Sequence, residues 1–129
     1  MGIRITRHDE RNLTVFTVSG RTEVDEQLEA LRAYYADGPT AHTLWDFRGL
    51  DGPRLSTEDL HRIVRFVRRE GARRPSGRTA LVAATELDYG LGRMSSILSS
   101  SLRVPVEIQA FRSIEEAEAW IASAPPAAR

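Results

Sequence analysis

Between residues 79 and 121 the chain alternates strand-like and helix-like segments in an order that few folds accommodate. Ala80, Leu81, Val82, Ala83 and Ala84 form an apolar run, Leu87, Leu91, Met94 and Leu98 then recur at helical spacing, residues 104–111 read as a second strand, and Ser113 opens a further helix. Parallel neighbours need a crossover, so strand, helix, strand, helix in succession specifies a parallel sheet with helices packed on it. Ser113 and Glu116 have the spacing of a capping box, and Ala117, Trp120 and Ile121 form the inward face of the helix they begin.

The upstream segments extend the pattern. Ile3 and Ile5, then Leu13, Val15, Phe16 and Val18, are two strand-like runs separated by the polar turn His8, Asp9, Glu10, Arg11 and Asn12, which predicts a hairpin. Thr22 is placed to cap a helix whose Val24, Leu28, Leu31 and Tyr35 share one face, and Asp37, Gly38 and Pro39 stop it. Residues 42–47 read as a third strand and residues 48–53 as a loop; Ser56 or Thr57 caps the next helix, with Leu60, Ile63, Val64 and Val67 as its buried stripe and Gly71 at its end. The expected fold is α/β, a single domain at residues 1–122 with a five-stranded mixed sheet and four helices in the order ββαβαβαβα. A flexible C-terminal tail is expected at residues 123–129.

Composition removes several classes of function. The 129 residues contain no Cys, which excludes disulfides, thiolate nucleophiles and Cys-ligated metal centres. His8, His42 and His61 share no metal-ligand spacing, so no metal and no cofactor are expected. No apolar stretch approaches the roughly 20 residues that span a bilayer, and residues 1–11 are polar, so a cytoplasmic protein is expected. With 18 basic and 18 acidic residues there is no global field favouring nucleic acid. Every basic residue is Arg, and Arg62, Arg65, Arg68, Arg69, Arg73, Arg74 and Arg78 crowd one stretch. Arg62, Arg65 and Arg69 share one face of the predicted helix, which reads as a solvated helix back, with an acidic partner or a membrane surface as the alternative.

Ligands of open α/β sheets lie beyond the carboxyl ends of parallel strands, which brings forward Asp46, Arg48, Ser56, Thr85, Glu86, Tyr89 and Arg93. Asp46 is the sharpest of these: an acid near the end of an apolar strand either serves a ligand or accepts amide hydrogens from the loop at residues 49–52. Gly90, Gly92 and Arg93 offer a weak anion cradle, and the same glycines, with the serines at 95, 96, 99, 100 and 101, weaken the third helix or let it pack closely on the sheet. Asp46, Arg48, Ser56, Tyr89 and Arg93 are the candidate ligand-binding residues.

With these segments placed, the chain resembles the SpoIIAA-like group of the STAS and Sec14-related superfamily, small bacterial domains. The resemblance is carried by Leu44-Trp45-Asp46-Phe47-Arg48-Gly49, by Ala80-Leu81-Val82-Ala83 and by the closing run from Phe111 through Glu115-Glu116-Ala117 to Ala119-Trp120-Ile121. It implies two directions. Anti-sigma-factor antagonists carry an Asp-Ser-Ser-Gly type phosphosite, and this chain departs from it with Leu50-Asp51-Gly52-Pro53-Arg54-Leu55-Ser56-Thr57. A phosphate on Ser56 would gain from the helix start but meet Glu58 and Asp59. Sec14-type lipid carriers admit an apolar ligand, or touch a membrane, when a helix moves off the sheet; here the third helix is the candidate. The expected function is a non-enzymatic binding or regulatory module acting through a protein partner or a small, partly apolar or anionic ligand near the third helix. The alternatives are a reversible membrane-associating protein and an enzyme using Asp46 with Tyr89 and Arg93 on a small anionic substrate. Edge strands also admit a homodimer.

Overall fold

A computed structural model describes residues 2–51, 55–74 and 77–125 of the chain. The expectations for Gly52, Pro53 and the tail from residue 126 lie outside the described residues. The hairpin is present: β1 (Gly2–His8) pairs antiparallel with β2 (Leu13–Gly20) through a 3-10 turn at Asp9–Arg11. Asn12 closes that turn in the left-handed region at φ 51°, a conformation Asn tolerates. Then follow α1 (Val24–Ala36), β3 (His42–Leu50), α2 (Thr57–Glu70), β4 (Arg78–Val82), α3 (Glu86–Ser101), β5 (Glu107–Phe111) and α4 (Ile114–Ala122).

The strands lie side by side in sequence order from β1 to β5, and β2 through β5 run parallel. Right-handed crossovers between successive neighbours that always step the same way put every crossover helix on one face of the sheet. α1, α2 and α3 share that face and α4 alone covers the other. On the three-helix side Phe16, Val18 and Trp45 pack with Val24, Leu28, Leu31 and Tyr35 of α1 and with Phe66 and Val67 of α2. Phe16 and Trp45, register partners on β2 and β3, stack with ring centroids 4.0 Å apart and planes at 5°. On the other side Leu13, Leu44, Ala80 and Val82 meet Ala117 and Ile121 of α4.

The structure corrects the sequence reading in three places. Thr22 does not cap α1: Glu23 is the N-cap, its amide donates to Glu26 at 3.1 Å, and the Thr22 hydroxyl is buried with no hydrogen-bond partner among the described residues. β3 continues to Leu50, where a loop was expected from residue 48, because pairing with β2 resumes after a register shift. The apolar stripe of α3 is the third. Leu87 and Met94 are 62% and 43% exposed, while Asp88, Gly92, Ser95 and Ser99 lie on the inward side. The small residues win that side because they let the helix close on β5: a Cβ on Gly92 would stand 3.0 Å from the Ala110 Cβ, and the Ser96 hydroxyl donates to the Ile108 carbonyl at 2.6 Å.

Removing the Phe16 ring should lower stability in urea by about 3–5 kcal/mol, the ordinary cost of a large core aromatic; a loss under about 1 kcal/mol would mean the stack is not central. The two α3 glycines should respond differently. Nothing lies within 4 Å of a Cβ placed on Gly90, so Gly90→Ala should gain about 0.5–1 kcal/mol of helix stability. Gly92→Ala should gain less or lose, and equal gains would contradict the close approach of α3.

Candidate functional site

The helices on the three-helix face do not fill the space above the sheet. A cavity of about 120 Å³ remains between Trp45, Phe47, Leu81 and Ile108 of the sheet, Leu60, Ile63, Val64 and Val67 of α2, and Leu91, Gly92 and Ser95 of α3. Its wall is mostly apolar, and its polar side chains are few: Gln27, Thr43, Arg74, Thr79, Asp88 and Ser95. An apolar hollow with a small number of convergent polar groups is the ordinary form of a small-molecule site.

Each polar end of the cavity has a structural origin. Thr43 and Thr79 stand at the starts of β3 and β4, face each other in register, and share a hydrogen bond of 2.9 Å between hydroxyls. Arg74, just past the 3-10 turn Gly71–Arg73 that follows α2, folds back over them. Its Nε donates to the Ala41 carbonyl at 3.1 Å, and Nη2 donates to the Arg78 carbonyl at 3.2 Å and to Thr79 Oγ1 at 3.0 Å. Its Nη1 reaches Tyr35 Oη at 3.4 Å, and the guanidinium lies 5.6 Å from the Tyr34 ring centroid. At the opposite end Asp88 is buried in the first turn of α3, where its amide donates to the capping hydroxyl of Thr85 at 3.1 Å. The Arg74 charge is felt nearby: burial, then Arg74 and Arg78, hold the His42 imidazole below its ordinary pKa, and His42 Nδ1 accepts from the Arg78 amide at 3.1 Å.

None of the five residues singled out from the sequence is among the side chains lining the cavity. Asp46 and Arg48 are brought together, on the α4 side of the sheet. Arg48 donates from Nε and Nη2 to the two carboxylate oxygens of Asp46, each at 2.9 Å, and from its amide to Oδ1 at 3.1 Å. The pairing between β2 and β3 steps from Thr17–Asp46 to Ser19–Gly49, so β3 bulges here and Asp46 takes up the Arg48 amide within the bulge. The acceptor role anticipated for Asp46 is therefore met by Arg48 rather than by the loop at residues 49–52. Gly49 is required by the close pass of the strands, since a Cβ there would stand 3.0 Å from the Val18 carbonyl oxygen. Hydrogen bonds from the Arg48 guanidinium keep the Asp46 carboxyl below its usual range, against the opposing effect of burial.

The other three lie apart from that pair. Ser56 caps α2, accepting from the Asp59 amide at 3.1 Å while its own amide donates to the Asp59 carboxylate at 3.3 Å. The Tyr89 ring is covered by the Arg112 guanidinium at 3.9 Å, and Arg112 donates two 2.8 Å hydrogen bonds to Glu86. Arg93 is exposed on α3. Tyr89 and Arg93 belong to a helix on the face opposite Asp46, so the three do not share one pocket. Sequence reasoning missed Arg74, Thr43 and Thr79. Arg74 was hidden among six other arginines; the usable signal was a Thr at the start of two successive strands.

Among the described residues, no helix is long and apolar enough to cross a membrane, and no group of three His, Cys, Asp or Glu residues is arranged to hold a metal. No family model matches the sequence, and no curated protein does. Solved structures do. A DUF3478-family protein from Shewanella loihica PV-4 with a SpoIIAA-like fold is 21% identical, over 93% of this chain and 92% of that one, with a TM-score of 0.57. This chain has a SpoIIAA-like fold. The anti-sigma factor antagonist SpoIIAA in its unphosphorylated form matches over 92% of this chain and 94% of that one at 15% identity, with a TM-score of 0.59. An anti-sigma factor antagonist from Mycobacterium paratuberculosis matches over 92% of each chain at 17% identity, also with a TM-score of 0.59.

The structural account of Asp46 can be checked by titration. A depressed folded-state pKa contributes stability that is complete above the unfolded value, about pH 4, and is lost as pH falls through the lower folded value. Asp46→Asn should therefore be less stable than wild type at pH 7 in urea, and the gap should narrow as pH is lowered from about 5 to about 2. A gap independent of pH would mean the carboxylate does not hold the bulge.

Proposed function

We propose that this SpoIIAA-like chain is a non-enzymatic binding module whose ligand is a small, largely apolar molecule held between the sheet and helices α2 and α3. The single observation that carries this reading is the cavity of about 120 Å³ under α3 with its mostly apolar wall. Close-packed interiors leave few voids larger than a water molecule, and an apolar void of about 150 Å³ elsewhere is known to take up benzene. α3 makes a suitable cover, because it touches the sheet through Gly92, Ser95, Ser96 and Ser99 and buries little apolar surface of its own. In this reading Asp46 and Arg48 stabilise a bulge, Ser56 is a helix cap rather than a phosphorylation site, and no proton-transfer role falls to Asp46.

A protein partner is the second reading, and one observation favours it. Leu87, Met94 and Ile97 are 62%, 43% and 62% exposed along the outer side of α3, and exposed apolar groups gathered on one helix are a common mark of an interaction surface. Two of the similar solved structures are, by name, antagonists of anti-sigma factors. The Arg-rich back of α2 gives less support to a membrane surface. Arg62 is paired with Asp25 at 3.0 Å, and Arg69 with Glu70 at 3.8 Å.

Toluene, neutral and free of hydrogen-bonding groups, is a suitable probe of the hollow. Saturating toluene should raise the melting temperature of the wild-type chain and move the methyl NMR signals of Ile63, Leu81 and Leu91. Ser95→Leu, which fills the space from α3, should remove both responses while retaining the fold. Wild-type protein that responds no more than Ser95→Leu would contradict the proposal.

A further inference from the structure

The cavity has polar side chains toward its two ends and a mostly apolar wall between them, with Arg74 at one end and Asp88 at the other. Arg74 lies over the starts of β3 and β4, while Asp88 is in the first turn of α3, which follows the opposite end of β4. Arg74 is 2% exposed, and none of the ion pairs among the described residues includes it. Its acceptors are carbonyl and hydroxyl oxygens, which satisfy N–H dipoles but leave the net charge uncompensated. Nη1 is the least engaged nitrogen, with its single contact the 3.4 Å one to Tyr35 Oη. A cation so placed, in a wall that is otherwise mostly apolar, is the natural counterpart of a carboxylate, for which charge-assisted hydrogen bonds are about twice as strong as neutral ones.

We infer that the cavity selects a small monocarboxylate with a compact apolar body, its carboxylate on Arg74 and its body against Trp45 and Leu81. This rests on the cavity being the binding site and adds the chemical class of what enters it. The volume of about 120 Å³ suits one aromatic ring or a short branched chain. Among the described residues no second cation lines the cavity, so a second carboxylate would be left without a counter-charge. The Arg74 guanidinium likewise disfavours an α-amino acid, whose ammonium would sit beside its carboxylate. Aryl and branched-chain monocarboxylates are thus preferred over dicarboxylates and over amino acids of the same size.

Calorimetric titration of the full chain with phenylacetate, its neutral isostere phenylacetamide, and toluene tests this class. Phenylacetate should bind at least about tenfold more tightly than phenylacetamide, the scale of one hydrogen bond to a charged group. Arg74→Met should abolish that preference if circular dichroism shows it folded. Ser95→Leu should weaken all three probes and keeps the test decisive if Arg74→Met does not fold. Equal affinities for phenylacetate and phenylacetamide, with toluene still bound, would overturn the carboxylate assignment and leave the apolar site standing. Failure of all three probes would overturn both. Phenylacetate binding that Ser95→Leu leaves unchanged would mean a site elsewhere on the surface and would overturn the assignment to this cavity.

Discussion

The handedness of the crossovers governs most of this molecule. Once β2 to β5 lie in sequence order and run parallel, successive right-handed connections have one side of the sheet available to them, and α1, α2 and α3 must share it. The opposite side is left to α4, a helix of nine residues. The two faces accordingly differ in packing. Ala117 and Ile121 of α4 close against Leu13, Leu44, Ala80 and Val82, while the three helices above the other face contribute a large aromatic cluster near α1 and small residues near α3. The hollow lies where that contribution thins.

Arg74 ties the beginning of the cavity to the frame. A single buried guanidinium joins the end of the α2 segment to the carbonyl before β3, the carbonyl of the first residue of β4, and the Thr79 hydroxyl. Such a group is costly to bury and is retained where its donors are met. It positions two strand starts and also lines the apolar space; burial first, and then Arg74 and Arg78, lower the pKa of the neighbouring His42.

Element order was legible in the sequence because it depends on local periodicity. Val24, Leu28, Leu31 and Tyr35 repeat at helical spacing and are all buried, and the hairpin, the Ser56 cap and the Ser113 cap lie where turn and capping chemistry put them. What was not legible depends on pairs of distant residues. In α3 the period was plain but the face was not: the apolar stripe with Leu87 and Met94 looked inward, whereas closeness to β5 selected Gly92 and the serines. Asp46 stood out as an acid among apolar neighbours, yet its role comes from a register shift between β2 and β3 that no single segment records. Arg74 was one of seven Arg between residues 62 and 78. Its burial follows from the meeting of Thr43 and Thr79 across two strands, thirty-six residues apart in the chain.

Whether an apolar hollow lies beneath α3 is decided by a crystal structure under xenon pressure. Xenon should bind between Leu81 and Ile108 of the sheet and Ile63 and Leu91 of the helices, with the surrounding backbone unmoved. Side chains of α2 and α3 collapsed onto the sheet, with no xenon in that space, would contradict it.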